Sequence, residues 1–270
     1  MKENVDQNPP ILLHKRHTEP TVFTAENLLR EARRQKSLAH VQVPRICILD
    51  PDGDIVRWLI RTRGAEPSTG WACYHTDLYI FTHEDIRLGI IGCAVGASFA
   101  VLVAEELFAS GCELLISITS AGQISRIGEL PYFVLIEKAL RDEGTSYHYV
   151  PPAEYSNIDP DILAMLVNAI LHAPVSIYRG TSWTTDAPFR ETESAIEHCR
   201  DMGIIAVEME SSALYAFAQA RGQPVICFAH VTNQMARPEG DFEKGANGGS
   251  EDALQVIALV ARTWANHQTR

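Results

Sequence analysis

The sequence contains no cysteine pair spaced C-x-x-C, no excess of positive charge and no unbroken apolar stretch long enough to cross a bilayer. Its six cysteines (Cys47, Cys73, Cys93, Cys112, Cys199 and Cys227) are scattered, several of them in apolar segments. That distribution predicts reduced core thiols in a cytoplasmic protein rather than a disulfide framework. The histidines are not spaced as metal ligands, so no metal is expected. With 23 basic and 34 acidic residues the formal net charge is −11. This argues against nucleic acid or an anionic membrane as the main partner, but leaves room for a small anion in a local pocket. The longest apolar run, residues 88–104, carries glycines at 89, 92 and 96 and runs into Glu105-Glu106. It reads as a strand, a glycine turn and a buried helix rather than a membrane span. No apolar signal core opens the chain. Residues 1–10 are polar and contain proline, which predicts a loose arm.

What is present suits a soluble enzyme: 46% hydrophobic and 21% charged residues in a chain of 270, enough for a full core. A helix is predicted over 23–36, with Thr24 as N-cap and basic residues late. A strand over 45–49 runs into the turn Asp50-Pro51-Asp52-Gly53, followed by helix over 56–61. Segments 77–82 and 86–92 read as a hairpin across His83-Glu84-Asp85. Helix is expected over 97–110, ending at Gly111, then strand over 113–119, with Ala121-Gly122-Gln123 turning the chain. Strands follow at 132–137, 175–180, 203–207 and 224–231, and helices at 159–171, 191–200, 210–221 and 250–267. This alternation predicts an α/β fold: a single three-layer domain over 23–270, with a central, largely parallel mixed β-sheet flanked by helices, behind an arm of residues 1–22. No repeat, low-complexity tract or linker divides it. The polar, glycine-rich segment 237–249 is expected to be a mobile loop.

The most informative stretch is Ala206-Val207-Glu208-Met209-Glu210-Ser211-Ser212-Ala213, where two acids flank one methionine in an apolar segment. The acids fall where a strand ends and a helix begins. Burying a carboxylate there costs several kcal/mol (roughly 3–5 for an unpaired charge) unless something hydrogen-bonds it, and a sugar with two adjacent hydroxyls would do so. Other polar residues fall at further strand ends: Gly53 and Arg57, Thr119 to Gly122, Thr184 to Arg190, and Thr232-Asn233. In α/β sheets ligands sit beyond the carboxyl ends of strands.

In this order these residues resemble the nucleoside phosphorylase family, which groups uridine phosphorylases, hexameric bacterial purine nucleoside phosphorylases and methylthioadenosine nucleosidases. The resemblance runs from about Ile46 to the C-terminus. It rests on Val207-Glu208-Met209-Glu210-Ser211, on Gly92-Cys93-Ala94-Val95-Gly96 with its following helix, on Ser120-Ala121-Gly122, and on Asp186. It implies cleavage of an N-glycosidic bond through an oxocarbenium-like ribose, by phosphate in phosphorylases and by water in nucleosidases. The nearest likeness is to a uridine-phosphorylase-like member. The resemblance also implies no cofactor beyond inorganic phosphate as co-substrate, and a homo-oligomer (dimer, trimer or hexamer).

By the same resemblance, Glu210 would accept hydrogen bonds from the ribose 2′ and 3′ hydroxyls, Met209 would line the sugar, and Glu208 would assist or pair with a structural cation. Gly53-Asp54-Ile55-Val56-Arg57 resembles the family's phosphate loop, with Ile55 in a proline position. Gly53 and Arg57, with Thr119 and Ser120, would hold phosphate. The second phosphate arginine of the phosphorylases is absent. Ser117 stands in its place, which leans toward hydrolysis. Arg61, Arg63 or Arg87 are candidate replacements. Gly122, Phe189, Arg190 and Asn233 would contact the base, with Phe189 stacking and Arg190 reaching a base carbonyl or bracing Glu210. Arg190 and Asn233 join Glu210 as expected catalytic groups. Asn233 replaces the aspartate of purine-cleaving members; an amide is no general acid, so a 6-oxopurine or pyrimidine fits better. His14 and His17 are candidates for a histidine reaching a neighbouring subunit's ribose, and His230 is expected to pack at a strand end. Two alternatives stay open: a phosphate-independent nucleosidase, and a nucleoside-binding protein with little turnover.

Overall fold

The computed structural model describes residues 9–235, 239 and 241–268. In chain order the elements are α1 (Ala25–Lys36), β1 (Ile46–Asp50), α2 (Asp54–Arg63), β2 (Glu66–Pro67), β3 (Leu78–His83), β4 (Ile86–Gly92), α3 (Ala97–Ala109) and β5 (Leu114–Gln123). They continue with β6 (Tyr132–Asp142), α4 (Ser146–Tyr149), β7 (Tyr155–Asn157), α5 (Pro160–Ile170), β8 (Ile177–Thr185), α6 (Glu193–Asp201), β9 (Ala206–Glu208), α7 (Ser211–Arg221), β10 (Val225–Asn233) and α8 (Ser250–Gln268). Local chemistry accounts for many boundaries. Thr24 caps α1 by accepting the Asn27 N–H, Asp159 caps α5 with Pro160 in the first turn, and Thr192 caps α6. Left-handed Gly64 and Gly222 stop α2 and α7.

The expected largely parallel sheet is corrected. Among the described residues five pairings are parallel and five antiparallel. Strands β5, β10, β6, β8 and β9 pair in a closed ring, and β1, β4, β3 and β2 extend from β5 as an open wing. Closure removes edges that an open sheet would expose. Helices fall into two groups by contact: α1, α3, α4 and α7 in one, α2, α5 and α8 in the other. The main core lies among β1, β4, β5, β6 and β10 with α3, α7 and α8. A smaller cluster of Ile124, Trp183, Ile196, Cys199, Ile204 and Val207 lies under α6.

Strands β5, β6 and β8 run further than their sequences suggest. Ala121-Gly122-Gln123 does not turn the chain: Gly122 and Gln123 pair with Val207 and Ala206, and residues up to Gly122 pair with β10. Ring closure gives these small residues strand partners that local propensity does not reveal. Thr119 to Gly122, Thr184 and Asn233 therefore lie within strands rather than after them.

Segment 88–104 divides as expected into β4, a turn and α3, and no helix among the described residues is long and apolar enough to cross a membrane. Of the six free cysteines, Cys93 is exposed rather than in the core, because it sits in that turn with positive φ. Most of the arm expected to be loose, residues 1–8, lies outside the described residues. Within 9–22, His17 Nε2 lies 3.2 Å from the Tyr147 carbonyl and Lys15 Nζ 2.9 Å from His148, so this part is docked on α4. Of the expected mobile loop, Arg237, Pro238 and Gly240 lie outside the described residues. Residues 241–249 are anchored through Lys244 and a 3-10 turn at Ala246–Gly249.

Candidate active site

Strand β5 has β10 along one side for most of its length, but changes partner on the other. β1 accompanies it as far as Ser117, and β9 joins only at Gly122. Residues 118–121 line the fork between them. Donors that face this gap find no ladder partner there and are free to serve a site.

Thr119 and Ser120, consecutive residues in this fork, each hold a carboxylate. The Thr119 hydroxyl donates to Glu210 Oε2 at 2.9 Å. The Ser120 N–H donates to Asp52 Oδ2 at 3.0 Å. Glu210 is 1% exposed and its other oxygen, Oε1, accepts the Gly96 N–H at 2.7 Å. Gly96 can occupy its φ of +92° because it lacks a Cβ, and this turns its N–H toward the acid. Burial pushes the Glu210 pKa up to about 8; the charges of Glu208 and Asp52 add to the rise, and the Gly96 and Thr119 hydrogen bonds oppose it.

Glu208 is also buried, but its partners saturate it. Ser182 and Thr184 donate hydroxyls to Oε1 at 3.0 and 2.5 Å, and the Glu210 and Ser211 amides donate to Oε2 at 2.8 and 2.7 Å. These amides are orphan N–H groups of the α7 N-terminus. The expected structural cation is corrected: Glu208 is satisfied by hydroxyls and amides, fixes the backbone of Glu210 and ties β9 to β8. Met209, between the two acids, is half-buried.

The proposed phosphate residues are close together but engaged. The buried Asp50 carboxylate accepts N–H groups from Gly53 and Val56 at 3.2 and 2.9 Å, bending the chain into α2. Burial pushes its pKa up to about 7. Gly53, at φ +76°, leaves no room for a Cβ, which would lie 2.6 Å from Cys93 Sγ and 2.7 Å from Arg57 Nη1. Arg57 is half-exposed; it donates to Asp54 Oδ1 at 2.7 Å and to the Asp52 carbonyl at 2.8 Å. Lys244, from the loop before α8, donates to Asp54 Oδ2 at 2.6 Å and lies 3.6 Å from Asp52 Oδ2. Ser117 is buried in β5 with its hydroxyl unpaired. Of the candidate replacements for an arginine there, Arg61 lines an open cavity with Arg57 and Lys244, whereas Arg63 lies over Trp58 and Arg87 is on β4 opposite Thr82.

On the base side, Gly122 pairs with both Val207 and Asn233, and a side chain at Gly122 would collide with Met235. Buried Asn233 donates to the Thr232 hydroxyl at 3.2 Å and accepts the Met235 N–H at 2.9 Å. Phe189 is 98% exposed, and Arg190 is exposed beside it in a 3-10 turn. The expected brace of Glu210 by Arg190 is corrected: Gly96 and Thr119 perform it. His14 is exposed, and His230 stacks on Phe133 at 4.5 Å, where burial pushes its imidazole down to about 4 and keeps it neutral. The sequence marks Gly96 only as part of a motif, without its contact to Glu210, and does not single out Asp52 or Lys244. Asp52 had a signal, since it inserts an acid directly before the phosphate-loop glycine. Lys244 had none, being one lysine in a polar loop.

The model of the phosphorylase superfamily matches residues 45–263. The chain is 28% identical to a guanosine phosphorylase of Halorubrum lacusprofundi over 63% of this chain and 69% of that protein. It is 24% identical to a uridine phosphorylase of Thermococcus kodakarensis over 68% of this chain and 70% of that one. A uridine phosphorylase crystal structure from Vibrio fischeri shares the fold with a TM-score of 0.70 at 20% identity, covering 83% of this chain and 95% of that one. The relatives are nucleoside phosphorylases, which are pentosyltransferases, and the chain belongs to the phosphorylase superfamily.

Proposed function

We propose that this protein cleaves the N-glycosidic bond of a nucleoside with inorganic phosphate, giving free base and ribose 1-phosphate. One observation carries the reading: adjacent residues of β5 each hold a carboxylate, Thr119 the buried Glu210 and the Ser120 N–H that of Asp52, which puts a hydroxyl-accepting acid beside a backbone donor able to take an anion. An acid that accepts two hydroxyls and an anion held beside it are what in-line attack on a ribose C1′ requires. In this reading Glu210 accepts the 2′ and 3′ hydroxyls in its ionised form, Met209 lines the sugar, and Glu208 acts through the Glu210 backbone. Gly53, Arg57, Thr119 and Ser120 surround the phosphate. The base lies by Gly122, Phe189, Arg190 and Asn233, whose amide and guanidinium groups receive the charge leaving with it. Asn233 favours uridine or a 6-oxopurine nucleoside over an adenosine type, since it has no proton to give as an acid. No cofactor is required, and a cytoplasmic homo-oligomer completes the reading.

A phosphate-independent nucleosidase is the second reading. Ser117 favours it, because one forked cation is lost, and so does the acidic surrounding of the anion site. A panel of nucleosides assayed for free base, each with and without phosphate, separates the two. Strict phosphate dependence with ribose 1-phosphate as product supports phosphorolysis; equal rates without phosphate, with free ribose as product, overturn it.

A further inference from the structure

The anion site beside Ser120 already holds an anion, and it is part of the protein. Asp52 Oδ2 lies between the Ser120 N–H at 3.0 Å and Lys244 Nζ at 3.6 Å. A backbone amide and an ammonium converging on one oxygen make the donor set an oxyanion takes. The void left beside this contact is about 10 Å³, bordered by Asp50, Thr119, Ser120, His230 and Lys244. That is space on the scale of one water molecule, not of phosphate. On the other side of Lys244 lies an open cavity of about 430 Å³ lined in part by Arg57, Arg61 and Asp54. The Asp52 side chain is 34% exposed, so it has a way out of the contact. Neutral His230 contributes no charge there. Lys244, whose nearer partner is Asp54 Oδ2 at 2.6 Å, thus brings a cation to the oxygen that the Ser120 N–H holds.

We propose that Lys244 is the cation of the oxyanion cradle, and that the Asp52 carboxylate is the resting occupant which inorganic phosphate displaces. The proposal rests on the phosphorolysis reading only for the identity of the incoming anion. Binding transfers the Ser120 N–H and the Lys244 ammonium from carboxylate to phosphate oxygens and sends Asp52 outward. The acid thus weakens phosphate binding twice, by occupying the donors and by repelling the anion. Lys244 is a binding residue set by tertiary contact, and Asp52 a residue that sets phosphate affinity.

The test is calorimetric titration of the full chain with inorganic phosphate, beside steady-state cleavage at varied phosphate. Asp52→Ala is expected to lower the phosphate Kd about tenfold or more, since one charged competitor is removed. Adding Lys244→Ala to Asp52→Ala is expected to lose that gain, and Lys244→Arg to keep most of it. A gain in affinity cannot come from misfolding, so Asp52→Ala stands as its own folding control. Unchanged affinity in Asp52→Ala, or the full gain retained with Lys244→Ala, overturns the proposal, as does a pair of proteins in which neither native chain nor Asp52→Ala binds phosphate. If the native chain neither binds nor needs phosphate while Asp52→Ala binds it, the cradle is upheld and the phosphorolysis reading falls. If cleavage is phosphate-dependent and Asp52→Ala changes nothing, the reverse holds.

Discussion

Glu210 and Phe189 belong to the same proposed site, yet one is 1% and the other 98% exposed. On the proposed sugar side, Gly96, Thr119 and Glu208 hold Glu210 from two strands and a helix start. Its donors are main-chain amides and short hydroxyls, which have little freedom to lose. Phe189 and Arg190 of the proposed base side hang on a 3-10 turn beyond β8, with an aromatic ring and a guanidinium in solvent. In the proposed site the groups assigned to the sugar lie at strand and helix ends, as do Gly122 and buried Asn233 of the base side, while Phe189 and Arg190 lie on a loop that ligand or a second copy of the chain can order.

The largest test of this contrast is Glu210→Gln. Two charge-assisted hydrogen bonds to sugar hydroxyls are lost, so kcat/KM for nucleoside cleavage is expected to fall about 10²–10⁴-fold. Thermal stability should change little, because the amide oxygen can still accept the Gly96 N–H and the NH₂ group can donate to the Thr119 hydroxyl. Native-like activity in this variant would refute the assignment of the sugar side.

Proton linkage gives the next effect. With its pKa raised to about 8, Glu210 is largely protonated at pH 6 and must ionise to accept two hydroxyls. The expected kcat/KM therefore rises with pH up to about 8, by about tenfold per unit below it. Stability moves the other way. The folded state binds more protons than the unfolded chain between about 4.5 and 8 at Glu210, and up to about 7 at Asp50, so unfolding free energy declines as pH climbs through that window. Denaturant melts from pH 5 to 9 should show the decline, and Glu210→Gln should flatten its upper part.

Glu208→Gln follows. It keeps the shape but sets an NH₂ group against donors, leaving one or two buried groups unpaired at a cost of roughly 2–4 kcal/mol. A lowered melting temperature with about tenfold weaker kcat/KM is expected, the second through a displaced Glu210 backbone. Lost activity at unchanged stability would instead assign Glu208 to the sugar directly. The smallest effect belongs to Phe189→Ala: unchanged melting temperature and a rise in nucleoside KM of about 2–10-fold, the worth of one aromatic stacking contact. A fall in stability would show that this ring packs in the assembled protein rather than waiting for a base.

Much of the fold is legible in short-range signals. The hairpin of 77–92, the division of 88–104, the Thr24 and Asp159 helix starts and the strand-to-helix position of the two acids all follow from them. The parallel character of the sheet is overstated by the same signals, because alternating strands and helices look alike whether the sheet stays open or closes on itself. Closure depends on β5 meeting both β9 and β10, pairings between segments far apart in the chain. The roles of the two acids do not separate by spacing either: Glu208 and Glu210 differ in which donors surround them, and those donors come from β8, β5 and the turn before α3.

The residue types, their order and the acids at the start of α7 were set by the sequence alone, since capping, periodicity and turn chemistry act over a few residues. The fork in β5, the occupied anion site and the meeting of Lys244 with Asp54, 190 positions away, exist only in the folded chain. Charges and hydroxyls acquire partners through space, and burial decides which of them must be satisfied by the protein and which are left for a ligand.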